Sequence, residues 1–280
     1  MNKKIEEYFR GKVILITGAS GGFGRELAIT LGNLGTTLCL VARREEELVK
    51  VKQMIIEQNK GYAESYVADI SKEADVVELF DKIQKKYHRL DILINNAGVT
   101  EYYPVWKFDH VSDKKIMGIN YHGAALCIRE ALRIMLAQGQ GQIFVTNSLA
   151  GLISPPFMVS YNASKHALTS LVNTARAETR GSGIFFTSFH PGDIAGTEID
   201  VGKVTPHWAF NEYRWTKLEK VINAAILAIY KRKKISIYPH YYWLLYRLLN
   251  AIAPSLIYWL CERSVKKNQP DNLFSTKFFN

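Results

Sequence analysis

The run VILITGASGGFG, Val13–Gly24, decides how this chain of 280 residues folds. Five apolar or β-branched residues lead straight into a stretch with four glycines in seven positions, and the pattern beyond is helical. A continuously apolar strand belongs in a parallel sheet covered on both faces. Glycines directly after it permit a tight turn and close backbone approach, and the N–H groups of the following helix start attract phosphate. An ordinary glycine turn has the same composition. The placement after the first strand of a βαβ unit is what makes it a nucleotide signal.

The same alternation runs on. Strands are expected at 13–17, 37–42, 63–68, 92–95, 142–147, 184–189 and 235–238, and helices at 23–34, 45–59, 72–87, 111–137, 158–180 and 217–231. Ser71 stands where it would cap the helix over 72–87, with acidic residues in the first turn. Strands alternating with helices imply right-handed crossovers and a doubly wound α/β sheet of about seven parallel strands, helices on both faces. Residues 1–240 make up this unit, and 241–280 a helical C-terminal extension. Ligands of such sheets bind beyond the carboxyl ends of the strands, near the point where the winding reverses.

Unusual residues gather at those ends. After the second strand come Arg43 and Arg44, with Ala42 rather than a carboxylate at the strand end. An acidic side chain there would accept from a ribose 2′-hydroxyl; arginine matches a 2′-phosphate, which favours NADP over NAD. Asp69 ends the third strand, where it either accepts from an adenine amine or caps the next helix with Ser71. Asn95, Asn96 and Gly98 follow the fourth strand, and Ser148 the fifth. In YNASK, Tyr161 and Lys165 are one helical turn apart on one face. A cation beside a phenol favours the phenolate, so the pair is either an acid–base device or an ordinary polar helix face.

TGASGGFG, NNAG, Asn120, Ser148, YNASK and Pro191–Gly192 stand in the order and spacing of the short-chain dehydrogenase/reductase family, which the chain resembles from about Lys12 to Tyr238. The resemblance implies a Rossmann-type fold, a nicotinamide cofactor and carbonyl/alcohol redox chemistry. It implies Tyr161 as the acid that protonates the carbonyl oxygen. Lys165, with the oxidised nicotinamide, would lower the phenol's pKa and bond the nicotinamide ribose. Ser148 would orient the substrate oxygen, and Asn120 would hold a water linking Lys165 to solvent. The cofactor contacts implied are Gly18, Ser20, Gly22, Phe23, Gly24, Arg43, Asp69, Ile70, Asn96, Gly98, Tyr161, Lys165, Pro191, Ile194 and Thr197. In PGDIAGTE, Gly196 occupies the position the family gives to threonine, and Thr197 follows one later. The resemblance also implies a homodimer or homotetramer formed through the helices at 111–137 and 158–180.

Charge and apolar content bound the remaining functions. The net charge is +10, but residues 1–202 carry 23 Lys and Arg against 22 Asp and Glu, while 203–280 carry 13 against 4. A neutral body with a basic end suits an anionic ligand or a lipid surface, or only a solvated terminus. The run Tyr241–Leu260 is interrupted by Arg247, Asn250 and Pro254, which suits an interfacial helix pair better than a membrane span. His207, Trp208, Phe210, Tyr213 and Trp215 suggest an apolar lid, hence a hydrophobic, lipid- or steroid-like substrate. Cys39, Cys127 and Cys261 lack metal-ligand spacing, and no metal is expected. The scattered thiols and the absence of an apolar h-region in MNKKIEEYFRGK point to the cytoplasm, with the tail either in peripheral membrane contact, closing the active site or packed against a second subunit. The expected function is NADP(H)-dependent reduction of a carbonyl, or oxidation of the matching alcohol. The rival is a catalytically silent NADP-binding sensor or scaffold; no nucleic acid partner is expected, a nucleic-acid role for the tail being the third reading.

Overall fold

The computed structural model describes residues 2–57, 61–194 and 216–241, together with Ser255, Leu256 and Trp259. The expected strands form one parallel sheet in the order β3-β2-β1-β4-β5-β6-β7: β1 Val13–Thr17, β2 Thr37–Ala42, β3 Tyr62–Val67, β4 Ile92–Asn95, β5 Gly141–Thr146, β6 Ile184–Pro191 and β7 Ile235–Tyr238. The chain winds outward from β1 to β3, then restarts at β4 on the other side of β1. That reversal opens a crevice beyond the ends of β1 and β4.

The pleat sorts side chains between two cores. Ile14 and Ile16 of β1 and Leu38 and Leu40 of β2 pack under α2 (Gly22–Gly32), α3 (Glu45–Glu57) and α8 (Leu218–Tyr230). Their neighbours Val13, Leu15, Cys39 and Val41 point the other way, toward α4 (Glu73–Tyr87), α5 (His110–Met117), α6 (Ala124–Gln138) and α7 (Val159–Glu178). Period-two alternation between two apolar faces is why these strands read as unbroken apolar runs. Cys39 and Cys127 are buried free thiols, each pushed up to about 12 by burial. Among the described residues, no helix is long and apolar enough to cross a membrane.

Three local features depart from expectation. A short helix, α1 (Lys3–Phe9), precedes β1; Asn2 caps it, Phe9 is buried, and the Tyr8 hydroxyl donates to Gln142 Oε1 at 2.8 Å. Ser71 does not cap α4. Asp69 Oδ1 takes both its N–H at 3.0 Å and its hydroxyl at 2.7 Å, so the chain turns there and the helix begins at Glu73, with Lys72 in the cap position. The helix expected over 111–137 is broken at Gly118–Gly123 by a π turn that joins α5 to α6. Asn120 lies in that turn, and π turns of this kind mark functional positions.

Candidate active site

The glycine loop is held by the chain it faces. Thr17 Oγ1 accepts from the N–H groups of Asn96 (2.9 Å) and Ala97 (3.0 Å), while Asn96 Nδ2 donates to the carbonyls of Thr17 (3.0 Å) and Gly18 (3.4 Å). This clamp presses the two segments together so closely that side chains cannot enter. Gly18 has φ +69°, and a Cβ there would stand 2.8 Å from Ala97 Cα. At Gly24 a Cβ would stand 2.3 Å from the Gly18 carbonyl oxygen. The result is a bare backbone cradle at the start of α2, which fits a dinucleotide pyrophosphate. Gly24→Ala is therefore expected to cost roughly 1–3 kcal/mol of stability and to weaken dinucleotide binding, read by thermal denaturation and fluorescence titration.

The second half of the site is built where β5 ends. Asn147 leaves the strand, and Ser148 starts a 3-10 turn, Leu149–Gly151, with its Oγ accepting from the Ala150 N–H at 3.1 Å. The hydroxyl proton of Ser148 is thereby left for a neighbour, and the phenol of Tyr161 is hydrogen-bonded to this hydroxyl. Lys165, one turn along α7, is 4% exposed; its Nζ donates to the Thr146 carbonyl at 3.1 Å and lies 5.5 Å from the Tyr161 ring centroid. Asn120 is spent as a brace: Oδ1 accepts from the Val99 N–H at 2.8 Å, and Nδ2 donates to the Val99 carbonyl (2.9 Å) and Ser164 Oγ (3.1 Å). Gly98 sits between the halves, and a Cβ there would meet Asn120 Oδ1 at 3.4 Å and Lys165 Nζ at 3.7 Å.

Burial dominates the electrostatics of the pair. Burial pushes the Tyr161 phenol above its ordinary range, with a smaller push from the Asp193 carboxylate and an opposing pull from the Ser148 hydrogen bond. In the chain alone, the Lys165 cation does not draw the phenol down. Burial instead brings Lys165 itself down to about 8. Tyr161 is thus held neutral near pH 7, the form that can donate a proton.

Other expected contacts fall out variously. The Phe23 ring turns inward and stacks on Phe189 at 6.1 Å, so only its backbone faces the cradle. Ile70 is buried, and its carbonyl and side chain press against Gly123 of the π turn. Asp69 bonds Ser71, which together with nearby Arg43 offsets its burial and holds its carboxyl below the usual range. Ser20 is met by Arg44 rather than Arg43: the guanidinium donates to Ser20 Oγ at 3.3 Å and to its carbonyl at 3.4 Å. Pro191 ends β6, and Ile194 pairs with Thr216 in an isolated bridge. Thr197 and the expected lid aromatics lie outside the described residues, as does the tail from 242 apart from three positions. Asn147, Tyr102 and Asp193 escaped the sequence reading; Tyr102 interacts electrostatically with both Tyr161 and Asp193. The PGD run placed Asp193 at a strand end, and that was its only signal.

The chain is similar to known proteins. Residues 12–206 match the family model described as short chain dehydrogenase. The dehydrogenase/reductase SDR family protein 7-like of Drosophila melanogaster is 28% identical over 277 residues, covering 94% of this chain and 84% of that protein. The 11-beta-hydroxysteroid dehydrogenase 1A of Arabidopsis thaliana is 36% identical over 201 residues, 70% of this chain; the match spans 56% of the plant protein's length. A short chain dehydrogenase/reductase from Burkholderia phymatum, solved in complex with NAD, superposes with a TM-score of 0.77 at 28% identity, covering 87% of this chain and 94% of that one.

Proposed function

The chain belongs to the short-chain dehydrogenase/reductase family, and on that premise we propose that it is an NADP(H)-dependent oxidoreductase that reduces the carbonyl of a hydrophobic substrate, or oxidises the matching secondary alcohol. The observation that carries this reading is the convergence of Ser148, Tyr161 and Lys165 at the end of β5, beside the glycine cradle. A bound nicotinamide dinucleotide supplies the hydride. Ser148, whose hydroxyl proton is directed to the Tyr161 phenol in the chain alone, turns it to the substrate oxygen and so fixes the carbonyl's direction. Tyr161, kept neutral by burial, gives that oxygen its proton as negative charge develops there. Lys165 holds the ribose side of the cofactor and keeps a positive charge near the phenol.

The choice of NADP rests on Arg44 over Ser20, on Arg43 beside Asp69, and on Ala42 at the strand end. Two guanidinium groups and a hydroxyl suit a 2′-phosphate. The steroid named for the plant relative supports a hydrophobic substrate; a hollow of about 520 Å³ walled by Tyr103, Trp106, Pro155 and Phe157 lies near the start of α7, but Ser148, Tyr161 and Lys165 do not line it. Self-association through α5–α6 and α7 remains part of the reading.

The test is a panel of carbonyl compounds of rising chain length, assayed with NADPH and with NADH. In the double variant Arg43→Ala/Arg44→Ala, NADPH affinity is expected to fall ~10–100-fold, the worth of one or two charge-assisted bonds, while NADH affinity holds. Equal losses for both cofactors would contradict the 2′-phosphate assignment. Dinucleotide binding without turnover on any carbonyl or alcohol would point to a silent sensor.

A further inference from the structure

Ser148 is held from behind. Its carbonyl is met by His190 Nδ1 at 2.8 Å, and its N–H donates to Asn147 Oδ1 at 3.0 Å. The β5–β6 ladder ends at Asn147, whose N–H donates to the Phe189 carbonyl at 2.7 Å, so His190 takes over where the sheet stops. His190 is 1% exposed and 42 residues further along the chain. A carbonyl only accepts, so Nδ1 carries the ring proton. In the neutral ring Nε2 is then bare, and it accepts from the Ser188 hydroxyl at 2.8 Å. Burial keeps the ring neutral, bringing its pKa down to about 4.

The network extends to the other half of the site. Asn147 Nδ2 reaches Ser188 Oγ at 3.5 Å and Thr169 Oγ1 at 2.8 Å, and the Thr169 hydroxyl lies 2.9 Å from the Lys165 carbonyl. There is no slack for rearrangement: a Cβ on Gly151 would stand 2.6 Å from Asn147 Oδ1 and 2.7 Å from the Lys165 carbonyl. One buried polar cluster therefore grips the backbone of both Ser148 and Lys165.

We propose that His190 is a positioning residue for the reaction: its Nδ1–H fixes the main chain of Ser148, and through it the aim of the Ser148 hydroxyl at the phenol of Tyr161 and the substrate oxygen. The proposal rests on the oxidoreductase reading above. It separates His190 from a mere core histidine, because what matters is a donor at one ring nitrogen rather than bulk.

The test uses the full chain. His190→Leu keeps apolar volume and removes the donor; His190→Asn places an amide N–H near the Nδ1 position. His190→Leu is expected to lower kcat ~10²-fold, the scale of a small misplacement at the reacting centre, with KM and NADPH affinity little changed. His190→Asn is expected to recover most of that loss. A fully active Leu variant, or equal impairment in both variants, overturns the proposal. Should His190→Leu not fold, Ser188→Ala, which strips the partner of Nε2, takes its place: a severalfold loss of kcat supports the proposal and an unchanged kcat overturns it. A wild-type chain that turns over no carbonyl and no alcohol refutes the functional reading alone. The proposal is then read from ¹⁵N NMR of the His190 ring at pH 7, where a proton on Nδ1 supports it and a proton on Nε2 overturns it.

Discussion

Tyr161→Phe is expected to lower carbonyl reduction by ~10³–10⁴-fold while dinucleotide affinity stays within experimental reach of wild type. The substitution removes one oxygen from a half-buried ring and leaves α7 intact, so folding is not at stake. What disappears is the phenol hydrogen-bonded to Ser148. Hydride arriving at the carbonyl carbon would leave an alkoxide without its positioned proton donor. Tyr102, close enough to interact with Tyr161, is pushed up to about 12, chiefly by burial. It is therefore neutral too, and any residual activity of Tyr161→Phe should vanish in a Tyr102→Phe/Tyr161→Phe double variant. Single-turnover kinetics with cofactor titration checks both statements.

Lys165→Met separates catalysis from stability with opposite signs. The ammonium of Lys165 is almost fully buried, and its pKa falls from 10.5 to about 8 because burial disfavours the charged form. Below about pH 8 folded and unfolded chains both hold the proton, and the full cost of burying the charge opposes folding. Between about 8 and 10.5 the folded chain releases its proton while the unfolded chain keeps it, so stability rises with pH across that window. Lys165→Met removes the charge and is expected to stabilise the cofactor-free protein at pH 7 by up to ~3 kcal/mol, with the alkaline rise abolished. Turnover moves the other way, falling ~10²-fold or more, since the proposed ribose contact and the cation near Tyr161 go together. In the wild type, kcat/KM for reduction should decline as pH passes about 8. Urea unfolding and steady-state rates across pH 6 to 11 read both effects; a destabilised Met variant would contradict the burial argument.

The sheet was legible because its strands are buried on both faces, and burial on both faces writes itself as apolar runs such as Val13–Thr17 and Ile92–Asn95. The glycine cradle was legible for a related reason: crowding between Gly18, Gly24 and Ala97 permits no side chain, so the sequence carries glycine where the backbones meet. Features set by contacts distant in sequence were not. α1 is seven residues long, too short for a helical period to stand out, and is held by Tyr8 against Gln142. Ser71 looked like a cap until Asp69 took its hydroxyl. Of two adjacent arginines, only the fold says that Arg44 reaches Ser20. His190 joins Ser148 across 42 residues, which no spacing rule connects. Nor does sequence alone give the balance at Tyr161, where burial outweighs the Ser148 hydrogen bond.

The direct test of the account follows the hydrogen. NADPH carrying deuterium at the transferable position of its nicotinamide is incubated with the chain and a hydrophobic ketone, and the alcohol is analysed by mass spectrometry. The account predicts one deuterium on the carbinol carbon with wild-type protein and almost no product with Tyr161→Phe, although that variant binds the cofactor. Labelled alcohol formed at undiminished rate by Tyr161→Phe, or product without label from the wild type, would contradict it.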